Sequence, residues 1–230
     1  MKITASTLMR LAGLSAMLAG VCFLAIGVFH PVNILSSVST TSWAIVHYFA
    51  TALGFFGLFG MAGIYARQVE KAGWLGLAGF LLFTAWMTLV CGFSFVEAFI
   101  LPRLATEFPV FVRGLLGMFS SVPSEINLGA LPTLWNISGV LYIVGPLLFG
   151  IATFRARVLP RWAGALLAVG VILPPLLSTV VHHPFDRLFA VPVGLAMAWL
   201  GYALWSEWRV PVSAPVPGKG NPELSQTGAD

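Results

Sequence analysis

The chain has 230 residues, 58% of them hydrophobic and only 9% charged, with a mean hydropathy of +0.92. Soluble domains carry nearer a quarter charged residues, so this composition excludes one and specifies an integral membrane protein. The formal net charge of +4 does not imply a nucleic-acid partner, because the basic residues stand at the ends of apolar runs instead of forming a stripe.

Residues 1–10 form a short basic leader, and 11–29 are apolar for long enough to cross a hydrocarbon core of about 30 Å at about 1.5 Å per residue. A secretory signal is the competing reading, disfavoured because no Ala-x-Ala site follows and the run is long for a signal. Val21 before Cys22 also disagrees with a lipoprotein signal. The polar stretch HPVNILSSVSTTS opens with a proline and leads to a second span at 43–66, whose Trp43 and Tyr65 fall at the two interfacial levels. A short basic loop at 67–71 precedes a third span at 74–101.

Residues 102–132 are too polar to span yet carry Phe108, Phe111, Leu115, Leu116, Met118 and Phe119, the mixture expected of an outer cap lying along the interface. The fourth span is expected at 133–154. After the Arg155, Arg157, Arg161 turn comes the fifth at 162–181, where Pro174-Pro175 should kink or break the helix. The sixth is expected at 187–205, and residues 207–230 have too little apolar surface to fold, reading as a disordered cytoplasmic tail. The fold class is therefore all-α, a polytopic membrane helical bundle of six transmembrane helices.

Lys2, Arg10, Arg67, Lys71, Arg155, Arg157, Arg161, Arg209 and Lys219 fall on one side of this arrangement, and Arg103, Arg113 and Arg187 on the other. The richer side is cytoplasmic by the positive-inside rule, with both termini inside a bacterial inner membrane. Leu11-Ala12-Gly13-Leu14, Leu75-Gly76-Leu77-Ala78 and Ala163-Gly164-Ala165-Leu166 open the odd spans alike. Gly60-Met61-Ala62, Gly150-Ile151-Ala152 and Gly201-Tyr202-Ala203 close the even ones. Three tandem helical hairpins would explain this, and so would convergent selection of small residues at helix crossings.

The chemistry-bearing residues gather toward the outer ends of the spans: His30, His47, Glu97, His182 and His183, with Asp186 just beyond. Glu97 lies among Phe95, Val96, Ala98 and Phe99, and an ionisable group at membrane depth is a functional candidate by default. Glu97, His47 and His30 are the candidate ligand or proton site, since an imidazole beside a carboxylate can relay protons. His30, His47, His182, His183 and Glu97 are also the candidate metal ligands, a set suited to zinc, iron or copper, with the cofactor itself unassigned. Against both stands the bland reading that histidines at helix ends merely cap a helix or meet water. Cys22 and Cys91 fall inside apolar runs and read as small buried hydrophobes. Asn136-Ile137-Ser138 matches a glycosylation sequon but lies inside the fourth span. No phosphate-cradling glycine loop, His-Glu-x-x-His or Gly-x-Ser-x-Gly elbow is present, which argues against hydrolase and nucleotide chemistry.

Arg10 to Leu14, Tyr65 to Gln68 and Leu200 to Trp205 give the chain a resemblance to multi-pass bacterial membrane proteins grouped as domains of unknown function. That resemblance implies a helical bundle and no activity. Cytochrome b561 also has six helices with histidines near their ends, but it needs histidine pairs at two haem sites on opposite sides of the membrane. Here the cytoplasmic half has no histidine, which excludes two haems and leaves only a single outer one. The expectation is a protein that is not an enzyme, with an outward-facing cavity that binds or moves a small lipophilic or cationic ligand. A membrane oxidoreductase or metalloprotein using the outer histidines is the alternative. A scaffold subunit, with a membrane protein partner or further copies of itself besides the lipid bilayer, is the other.

Overall fold

The computed structural model describes residues 3–120, 122–177, 180–181 and 185–208, and for Phe185 and Asp186 the backbone only. The first helix, α1 (Ala5–Phe29), starts where the Thr4 hydroxyl accepts the Thr7 N–H at 3.2 Å. It stops at His30, whose extended backbone (φ −67°, ψ 121°) is what a residue before proline adopts. One short turn, α2 (Leu35–Val38), precedes α3 (Thr41–Phe95), which the Thr40 hydroxyl caps by accepting the Trp43 N–H.

Gly73 divides α3 in two, with φ 58° and ψ −160°, a region essentially reserved for glycine. The arms 41–72 and 74–95 fold back on each other: the Tyr65 and Phe80 rings stack at 4.7 Å, and a Cβ on Gly54 would lie 2.5 Å from the Cβ of Cys91. The expected loop at 67–71 is thus helix. Arg, Gln, Glu and Lys are good helix formers, and a helix that outruns the bilayer keeps its charges in water without needing to end.

Beyond Phe95 the ladder widens into a π-helical turn (Val96–Ile100), followed by α4 (Leu101–Glu107) and α5 (Pro109–Phe119). Then come α6 (Leu131–Ala156), ended by Arg157 in the left-handed conformation (φ 54°), α7 (Arg161–Gly170), α8 (Leu173–Leu177), a 3-10 helix (Phe185–Ala190) and α9 (Val191–Glu207). The expected span 162–181 is not one helix. Pro174 and Pro175 cannot donate to the carbonyls one turn earlier, so α7 stops at Gly170 and a new helix begins with the prolines in its first turn, where they are tolerated.

Among the described residues four helices are long and apolar enough to cross a membrane: Ala5–Phe29, Thr41–Glu107, Leu131–Ala156 and Arg187–Glu207. The second of these contains both arms of the Gly73 hairpin. In the bundle α1 packs between α3 and α9, the second arm of α3 on α6, and α7 against α6 and α9. Glycines sit at the crossings. A Cβ on Gly13 would meet the Gly201 carbonyl at 2.7 Å, one on Gly60 the Ala16 backbone at 2.6 Å, and one on Gly150 the Gly164 carbonyl at 2.5 Å. These are glycines of the repeated fragments, so close backbone approach accounts for them. Met61, Ile64, Phe83, Phe149, Met197 and Leu200 are fully buried between the helices, whereas Phe55, Phe59, Leu81 and Leu195 are exposed on its outside, as lipid contact requires.

One end of the bundle is basic. There Arg67 donates to Glu207 at 2.7 Å, Arg10 lies over Trp205, and Arg161 over Phe154. Trp74 and Trp162 are exposed near this end, and Gln68 donates to the Thr153 hydroxyl in a buried bond of 2.9 Å. The opposite end carries a second, smaller apolar core. Val112, Leu115, Leu116 and Phe119 form one face of α5 by their three- and four-residue spacing, and pack with Val38, Trp43 and Leu101. The segment after Leu101 is therefore a folded cap over this end.

Candidate ligand site

The candidate site lies beneath the cap and is built around Trp43. Trp43 is fully buried, so its indole N–H needs an acceptor, and it finds the Glu97 carbonyl at 2.9 Å. The π turn explains why that carbonyl is available. Its backbone partner in a π ladder lies five residues on, at Pro102, which has no N–H to give. The indole takes the place of the missing donor, and the widened turn fixes where Glu97 points.

His47 follows Trp43 by one helical turn, is 1% exposed, and has Nδ1 2.7 Å from the Trp43 carbonyl. A carbonyl only accepts, so the ring carries its proton on Nδ1, and in the neutral tautomer Nε2 is a bare lone pair. That Nε2 faces Glu97 Oε1 at 3.5 Å and makes no hydrogen bond. Glu97 is 9% exposed. Two acceptors thus confront each other in buried surroundings, an arrangement that calls for a donor between them, either a proton or the N–H of a ligand. His30 completes the group: its ring lies 5.0 Å from that of His47, with Nδ1 2.7 Å from the Pro31 carbonyl.

His30, His47 and Glu97 line one cavity of about 290 Å³, together with Asn33, Ser94 and Arg187. The side-chain oxygen of Asn33 is buried without a partner. The walls are aromatic. Phe23 and Trp86 line the cavity toward the middle of the bundle and form a triad with Tyr142, which borders a neighbouring cavity, the centroids 5.0–6.4 Å apart. Phe93, Phe119 and Trp135 form another beneath the cap, at 4.8–6.1 Å.

The structure thus brings together three of the residues singled out from the sequence, while His182 and His183 lie outside the described residues. Among the described residues no three His, Cys, Asp or Glu side chains converge as a metal would require. Arg187, Asn33, Ser94 and the two aromatic triads were not singled out by the sequence reasoning. Arg187 entered it only as a charge in the orientation tally, although its position among apolar residues at the outer end of a span was the available signal. No protein-family model, curated protein or solved structure matches the chain.

Proposed function

We propose that the chain crosses a bacterial inner membrane six times, with both termini cytoplasmic, and that its outward-facing cavity binds or moves a small lipophilic cation. In this reading the two arms of α3 are separate crossings, α7 and α8 belong to the fifth, and the basic end faces the cytoplasm. The observation that carries the ligand assignment is the buried Glu97 carboxylate facing the unpartnered Nε2 of His47 on an aromatic-walled cavity. A carboxylate and an imidazole lone pair supply acceptors for an ammonium N–H, and Trp faces attract cations. The cavity volume is near the lower end of the range for small-molecule sites.

The test is titration of detergent-purified protein with octylammonium, followed by tryptophan fluorescence, since Trp86 and Trp135 line the cavity. Saturable quenching is expected in the wild type. In Glu97→Gln, a variant first shown to be folded, affinity should fall about tenfold or more, in keeping with loss of a charged hydrogen bond. Equal affinity in the two proteins, or no saturable binding, would defeat the proposal.

A further inference from the structure

The cavity does not end at the His47–Glu97 pair. A second one, of about 410 Å³, opens between α1 and α6 and shares Phe23, Ile26, Trp86, Val90, Trp135 and Arg187 with the first. The two differ in chemistry. Glu97, His47 and Asn33, all offering acceptors, border only the first, whereas Gly139, Tyr142 and Pro174 border only the second. Arg187, on the 3-10 helix before α9, belongs to both and so stands at their junction.

The second cavity exists because of the break after Gly170, which leaves the proline-bearing α8 as its edge. Beside it, among the described residues, Ile137, Gly139 and Val140 on the first half of α6 are exposed, and a Cβ on Gly139 would meet nothing within 4 Å. On a membrane bundle such an opening faces lipid.

Acceptors, then a guanidinium, then apolar walls open to the bilayer is an ordered series. We propose that the ligand is a zwitterionic aminophospholipid: its primary ammonium bridges Glu97 and His47 from the cavity side, its phosphate lies at Arg187, and an acyl chain runs along the second cavity. This rests on the cation reading above and narrows it. An ammonium with three N–H groups can donate to both facing acceptors at once, which a quaternary ammonium cannot do, and a guanidinium matches phosphate bidentately. The phosphate of such a lipid lies between its ammonium and its chains, and Arg187 lines both cavities.

The experiment is a fluorescence titration of the full chain in nonionic detergent with short-chain diacyl lipids that share one pair of tails and differ in headgroup: phosphoethanolamine, phosphocholine or phosphoglycerol. Phosphoethanolamine is expected to bind at least about tenfold more tightly than the other two. Glu97→Gln should abolish the preference over phosphocholine. Arg187→Gln should weaken the phosphoethanolamine lipid about tenfold and leave octylammonium bound at least as tightly, since that ligand brings no phosphate and one cation fewer then lines the cavity. Gly139→Trp, placed in open space and touching neither polar group, should weaken the diacyl lipid while soluble, tail-free phosphoethanolamine is unaffected; this variant keeps the test decisive if a polar substitution prevents folding. Equal binding of phosphocholine, tightest binding of phosphoglycerol, or tail-free phosphoethanolamine binding as well as the lipid would overturn the proposal. Glu97-dependent octylammonium binding without a headgroup preference refutes the lipid and spares the cation site. Failure of octylammonium itself refutes both.

Discussion

Replacing Gly201 by alanine tests one of the close helix contacts in the bundle. The new methyl carbon would lie 2.6 Å from the Gly13 carbonyl oxygen, 2.7 Å from the Met17 nitrogen and 2.8 Å from the Ala16 Cβ, where ordinary contacts are 3.4–4 Å. Two of these neighbours are backbone atoms, which no rotamer change can move, so α1 and α9 must separate by roughly 0.7 Å at the crossing. A gap of that size forfeits about a quarter to a half of the dispersion energy of each contact along the seam. Overpacking of this kind costs about 1–3 kcal/mol, or roughly 2–12 °C in melting temperature for a chain of this size. The assay is heating in detergent with a thiol-reactive fluorophore, because Cys22 on α1 is only 7% exposed and reports when that helix loses its partners. Gly92→Ala is the matched control. Nothing lies within 4 Å of its added carbon, and alanine improves helix propensity by up to about 1 kcal/mol, so its melting temperature should hold or rise. If Gly201→Ala melts with the wild type, or Gly92→Ala falls as far, the packing argument is wrong.

Three other substitutions probe different parts of the fold by the same melt. Gly73→Ala meets no steric obstacle but forces a side chain into a glycine-only backbone region, and should cost about 1–3 kcal/mol. Trp43→Phe keeps the ring and removes the indole N–H that reaches the Glu97 carbonyl, so a loss of about 1–3 kcal/mol is expected; an unchanged melting temperature would mean the π turn does not depend on the indole. Thr153→Val leaves the buried Gln68 amide without its acceptor and should destabilise by about 1–3 kcal/mol. Adding Gln68→Met should restore much of that, since Gln68 Oε1 is already unpaired. A double variant less stable than the single one would contradict this.

The long apolar runs were legible because hydropathy alone determines them, and the turn after Ala156 was legible from its arginines. The hairpin between the second and third spans was legible too, but its turn at Gly73 was not. Charged residues at 67–71 look like a loop when the bilayer is taken to end there, and only the sign of φ at one glycine places the turn. Pro174-Pro175 announced the broken fifth segment, but not that the helix would stop four residues earlier, because the effect of a proline falls on the carbonyls of the preceding turn. His47 and Glu97 could be placed at one end of the bundle from their positions in successive spans. Their direct confrontation could not, since it depends on a π turn whose cause, Pro102, lies five residues beyond the carboxylate. Aromatic triads assembled from α1, α3, α5 and α6 leave no local periodicity to read.

The seam between α1 and α9 also bears on how the protein is made. Gly13 and Gly20 present bare backbone to Gly201 and Gly194, the last helix of the described chain. Roughly 160 residues separate the end of α1 from the start of α9, on the order of 10–30 s of synthesis. During that interval the face of α1 that will receive α9 has only lipid or a chaperone-like membrane factor against it, while its other face can already dock on α3 through Gly60 and Gly63. In this bundle α9 therefore acts as a keystone, and a chain cut short before residue 191 would leave that flank of α1 open.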